Sequence, residues 1–137
     1  MKYIYVWTIF LLGTVFLYGT MDESNIVDDQ KMIYSGQYEW QTENAEASLE
    51  IKKLSEGKYK VSGEAFYGIK NKYGPNFGIL EFIAVMKDNT IRYKYDDYKL
   101  ILKFSADTIE AEESGDRHPD FGMHVVFSGK FKKVQNK

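Results

Sequence analysis

From Met32 onward, apolar and polar positions alternate with a period of two, the mark of strands with one buried face. Tyr34, Gly36, Tyr38 and Trp40 alternate with Ser35, Gln37, Glu39 and Gln41, and Ala47, Leu49 and Ile51 with Ser48, Glu50 and Lys52. A turn over 55–58, where Gly57 can take a positive φ, leads to Tyr59, Val61, Gly63, Ala65 and Tyr67 on one face. Residues 79–86 are almost continuously apolar, the pattern of a strand covered on both faces or shielded at one end. Ile91, Tyr93 and Tyr95 mark a fifth strand, and Tyr98, Leu100, Leu102 and Phe104 a sixth. A short acidic strand over 108–113 follows. The last is expected over 122–134, with Met123, Val125, Phe127, Gly129 and Phe131 facing one way.

Eight strands with short connections, and no helical period after residue 21, predict an all-β fold. The expected architecture is an eight-stranded antiparallel up-and-down β-barrel, because closure removes the exposed edges of an open sheet. A sandwich with Greek-key crossings needs several long connections. Only 68–78 and 114–121 are long enough to serve. Gly36, Gly63 and Gly129 fall inside strands on the inward face, where a small barrel needs room to bend.

The first residues follow another rule. Met1 and Lys2 supply positive charge, and no charged residue then appears until Asp22. Residues 1–21 therefore read as a secretory signal, with an uncleaved membrane anchor helix as the alternative. Residues 22–31 are acidic and aperiodic and read as a flexible leader, which leaves 32–134 for the barrel domain. The expected location is exported, periplasmic or secreted, with membrane contact only through the N-terminal segment. The absence of cysteine excludes disulfides, thiolate metal sites and a cysteine nucleophile. A net charge of −2 leaves no electrostatic footprint for nucleic acid, and a monomer is expected.

Gly36-x-Tyr-x-Trp40, the run of short hairpins and the closing Phe127-Ser-Gly-Lys-Phe131 resemble small exported bacterial meander barrels of the lipocalin-like (calycin) type. The chain is also similar to barrel-shaped periplasmic inhibitors of c-type lysozyme in size, export and closing Ser-Gly-Lys. The first resemblance implies the barrel. The second implies a cell-wall lytic enzyme as partner.

Catalytic chemistry finds little support. His124 and Ser128 share a strand face but stand about 13 Å apart at ~3.3 Å per residue, too far for a hydrogen bond. There is no G-x-S-x-G elbow. Asp116, His118 and Asp120 alternate in a loop but lack the distal glutamate of a calcium loop, so they read as a solvated turn, with no metal or cofactor expected. Glu110, Glu112 and Glu113 read as a solvated edge. Glu81 is different, because it lies in the most apolar strand on the face of Ile79, Ile83 and Val85. There it must reach solvent or a partner, through a structural bond or by orienting a ligand.

The tyrosine-rich inner face can pack solidly or surround a small amphipathic ligand. The two long loops follow the third and seventh strands, so they emerge at the same barrel end. Together they bring Tyr73, Asn76, Phe77, Arg117, His118 and Phe121 to one rim, a composition enriched in binding hot spots. The function expected is that of an exported non-catalytic binding protein of the bacterial envelope, holding a small ligand or presenting rim loops to a protein. An inhibitor of a cell-wall lytic enzyme and a structural envelope protein are the alternatives.

Overall fold

Each period-two run forms a strand, and every hairpin joins neighbours. A computed structural model describes residues 34–135; the signal or anchor and the leader expected over 1–31 lie outside them. The strands are β1 (Gly36–Gln41), β2 (Ala45–Ser55), β3 (Lys58–Tyr67), β4 (Asn76–Val85), β5 (Thr90–Tyr95), β6 (Tyr98–Ser105), β7 (Thr108–Gly115) and β8 (Gly129–Lys133). All pairings are antiparallel, in the order β4-β3-β2-β1-β8-β7-β6-β5. The first and last strands therefore pair, and the sheet curls into a nearly closed barrel with a seam between β4 and β5.

The seam begins at a well-formed turn. Asp88 and Asn89 have φ of 53° and 57°, and Lys87 and Thr90 exchange two backbone bonds of 3.0 Å. Positive φ at both central positions is the geometry of a type I′ hairpin. Among the described residues the ladder goes no further. Inside the barrel, the seam is bridged by the stacked rings of Phe82 and Tyr93, 4.2 Å apart.

Inward positions of every strand make one core, with Tyr38, Leu49, Val61, Leu80, Ile91, Leu100, Ile109 and Phe131 buried. Phe127, from the segment before β8, joins them. Gly63 makes room for it. A Cβ there would stand 2.8 Å from Leu49 Cδ2 and from Phe127 Cε1. At this level the barrel is filled by side chains.

Two expectations need correction. β4 is not covered on both faces. Its inward residues Leu80 and Phe82 are buried, but Ile79, Ile83 and Val85 remain 58%, 55% and 69% exposed, because no second layer among the described residues lies over the terminal strand of the sheet. The last strand is also shorter than expected. His124 takes a φ of 63°, and the amides of Phe127 and Ser128 donate to the Glu113 side chain instead of a ladder, so pairing starts only at Gly129. Val125 and Phe127 are buried as the alternation implies, whereas Met123 turns out to solvent.

Buried tyrosines carry a consequence for alkaline stability. The Tyr38 hydroxyl donates to the Tyr34 carbonyl oxygen at 2.9 Å, and burial pushes its pKa from 10.0 up to about 12. Burial raises Tyr98 further, reinforced by its hydrogen bond to Glu113 and that carboxylate's charge. Both folded values lie above the unfolded one, so the folded state holds these protons longer than the unfolded chain does. The stabilisation is complete below about pH 10 and is lost as pH rises toward the folded values, at up to ~1.4 kcal/mol per pH unit for each ring. Tyrosinate absorbance should therefore show Tyr38 and Tyr98 holding their protons above pH 10 for as long as the fold lasts. Free titration of every tyrosine near pH 10 with the fold intact would contradict this.

Candidate functional site at the loop-bearing end

β3 and β7 run toward the same barrel end, so the 68–75 and 116–128 connections meet there. The Gly122 amide donates to the Phe77 carbonyl oxygen at 2.9 Å, and Asn76 Nδ2 donates to the Met123 carbonyl oxygen at 3.1 Å. The first loop is also tied down at its base. The amides of Gly68 and Ile69 donate to the Asn44 carbonyl oxygen at 2.8 and 3.3 Å, and Asn71 and Gly74 close short turns behind them. At the tip, Tyr73 is 94% exposed, with Lys72 Nζ 5.8 Å from its ring centroid.

The second loop hangs on one carboxylate. Glu113 follows Ile109 and Ala111 on the inward parity of β7, which aims it into the barrel mouth. Its Oε1 accepts from the Phe127 amide, the Ser128 amide and the Ser128 hydroxyl at 2.7, 2.7 and 2.6 Å. Its Oε2 accepts from the Tyr98 hydroxyl at 2.7 Å. Glu110 and Glu112 are exposed as the solvated-edge reading requires, but β7 is paired on both sides and is no edge, and Glu113 turns inward. The parity after Ala111 was the available signal.

His118 and Phe121 turn inward from the same loop. His118 is only 4% exposed, stacked on Phe121 at 4.5 Å and close to the rings of Tyr95 and Tyr98 at 4.8 and 5.2 Å. Its Nδ1 accepts the Asp120 amide at 3.1 Å. Phe121 packs on Tyr98 and Phe127. These rings plug the mouth.

Of the residues expected at the site, the structure brings Tyr73, Asn76, Phe77 and Arg117 to the surface of one end. It sends His118 and Phe121 into the core. Glu81 lies elsewhere, partway down β4 on the outer face, where it is exposed and forms an ion pair with Lys60 at 2.8 Å. Sequence reasoning missed Met123 and Val126, which add exposed apolar surface beside Phe77 and Arg117. The doublet Val125-Val126 carried the hint, since two successive apolar residues cannot both face one way in a strand.

Ser128 is bound to Glu113, and His124 packs against Tyr67 at 5.2 Å, so the two form no dyad. Among the described residues, no group of three His, Asp or Glu side chains is placed to hold a metal ion. The chain matches no protein-family model, no curated protein and no solved structure.

Proposed function

We propose that this chain is an exported, non-catalytic binding protein of the bacterial envelope that presents the loop-bearing end of its barrel to a protein partner. The observation that carries the reading is Tyr73, which is almost fully exposed at the tip of a loop whose base is fixed by five backbone and side-chain bonds. An aromatic ring held out on a stiff support loses little entropy when a partner covers it. Phe77, Met123 and Val126 add exposed apolar surface at the same end, and Arg117 adds a cation. The filled core at Gly63 favours rim binding over a ligand held along the barrel axis. The uncharged apolar run between Lys2 and Asp22 and the resemblance to exported meander barrels support the export component. The protruding tip also favours a narrower version, in which the partner is a cell-wall lytic enzyme and the loop enters its cleft.

The double variant Tyr73→Ser and Phe77→Ser tests the proposal. Immobilised chain should retain a partner from envelope extract, and the variant should lose at least ~10-fold of that retention, the effect of removing two anchors of roughly 1 kcal/mol each. Its melting temperature should stay within about 2 °C, as befits exposed side chains. Undiminished retention by the variant overturns the reading. Slower peptidoglycan hydrolysis by a lytic enzyme in the presence of the wild-type chain supports the narrower version.

A further inference from the structure

We propose that two copies of this chain pack through the outer face of β4, antiparallel, about a two-fold axis that passes through Glu81. The surface runs down the barrel wall from Phe77, the one residue it shares with the loop rim, and the proposal does not depend on the rim reading. Outward along β4 stand Phe77, Ile79, Glu81, Ile83 and Val85, all exposed. The four apolar members are each more than half exposed, on the terminal strand of the sheet. Native sheets normally protect such a strand with charge, proline or a covering element. β5, on the other side of the seam, follows that rule with exposed Arg92 and Lys94. β4 has one charge among four apolar side chains.

The order of that stripe identifies its occupant. Apolar, apolar, acid, apolar, apolar reads the same in both directions, and a two-fold interface requires such self-complementarity. Turning one copy about Glu81 sets Ile79 on the partner's Ile83 and Phe77 on the partner's Val85. The neighbouring strand fixes the direction. On β3, Lys58 and Lys60 lie beside Val85 and Ile83, whereas Glu64 lies beside Ile79. Antiparallel packing puts Lys60 over the partner's Glu64, whereas a two-fold axis along the strands would carry Lys58 and Lys60 toward the β5 side of the other copy, where Arg92 and Lys94 are exposed. At the axis each Glu81 is already paired with its own Lys60 at 2.8 Å, so the two carboxylates do not meet as bare like charges. One strand stripe is a small contact, so the dimer should be weak, with Kd on the order of 10–100 µM.

The absence of cysteine permits a register-specific test in the full-length chain. With a short bis-maleimide, the Glu81→Cys chain should give a covalent dimer, since the two copies of that position face each other at the axis. Ile79→Cys alone should give none, because the two copies of position 79 stand about 13 Å apart along the strands. Mixing Ile79→Cys chains with Ile83→Cys chains should restore the dimer, and does so without disturbing the Lys60–Glu81 pair. Adding Ile83→Lys to the Glu81→Cys chain should abolish its cross-link, whereas adding Tyr73→Ser should leave it unchanged, which separates this face from the rim. Failure of both the Glu81→Cys chain and the mixed pair to cross-link overturns the proposal. So does cross-linking of Ile79→Cys alone as readily as Glu81→Cys, or products larger than a dimer.

Discussion

Replacing Gly115 by Ala is expected to lower the melting temperature by roughly 15 °C. Gly115 closes β7 opposite Tyr98 with a φ of 79°, a conformation that costs an L-residue about 1 kcal/mol or more. Strain is the smaller part. A Cβ at this position would run into the Asp97 carbonyl oxygen and stand 2.9 Å from the carbonyl carbon. Both obstacles are backbone in the tight β5–β6 turn, where Asp96 already has a positive φ. No side chain can rotate aside, so the turn must move, and the Asp116 amide then loses its 3.2 Å bond to the same Asp97 oxygen. A total near 3 kcal/mol, at ~4–8 °C per kcal/mol for a domain of this size, gives the expected fall. Gly57→Ala is the internal control. Its φ is similar at 69°, but a Cβ there meets nothing within 4 Å, so it should show the strain alone. Equal shifts for the two variants in thermal unfolding would mean that the Asp97 contact carries no weight.

Glu113→Ala should cost nearly as much and act on a different part of the molecule. It leaves the Phe127 and Ser128 amides and the Tyr98 hydroxyl without their acceptor at the barrel mouth. Bonds to an ionised acceptor are worth ~1.5–3 kcal/mol each, and Tyr98 is buried, so a loss of about 3 kcal/mol is expected. Glu113→Gln should lose less. Its oxygen can keep the three bonds made by Oε1, while its amide nitrogen can donate to the Tyr98 oxygen. Hydrogen exchange then gives the local reading. In the Ala variant the Phe127 and Ser128 amides should lose protection, and the 116–128 segment should loosen together with the His118–Phe121 plug. A loop that keeps its protection in the Ala variant would show that its own packing suffices.

The strand rhythm was legible because a half-buried sheet writes its geometry directly into residue parity. Tyr38, Leu49, Val61 and Leu100 all face inward as that parity requires. The meeting of the two long loops was legible too, since strand counting alone sends β3 and β7 to the same end. The seam was hidden. Asp88-Asn89 forms the tightest of turns, and nothing in the residues after it says that the flanking strands diverge. In β4, an apolar run has the same composition whether its outer face is covered or bare, so the pattern reads as a strand covered on both faces or shielded at one end, and the exposure of Ile79, Ile83 and Val85 was hidden. His118 was obscured by Arg117, Pro119 and Asp120, whose polarity suggests a surface turn although the ring between them is a core plug. Glu113 was lost in an acidic run because charge drew attention away from parity.

Closure through β1 and β8 has a kinetic side. Six of the ladders join strands that are consecutive in the chain, and each can form as a local hairpin. The ladder of Tyr38 with Lys133 and Glu39 with Lys132 is the exception, and it must wait for nearly all the intervening chain. Folding should then proceed as two four-stranded meanders, β1–β4 and β5–β8, whose late union closes the longest loop and bears its entropy. The Val134 amide donates to the Gln37 carbonyl oxygen at 2.8 Å, so the two ends of the barrel chain already lie side by side. Joining them there and opening the chain between Asp88 and Asn89 would make order in sequence identical to order in space. The slow, distant pairing would become one more hairpin.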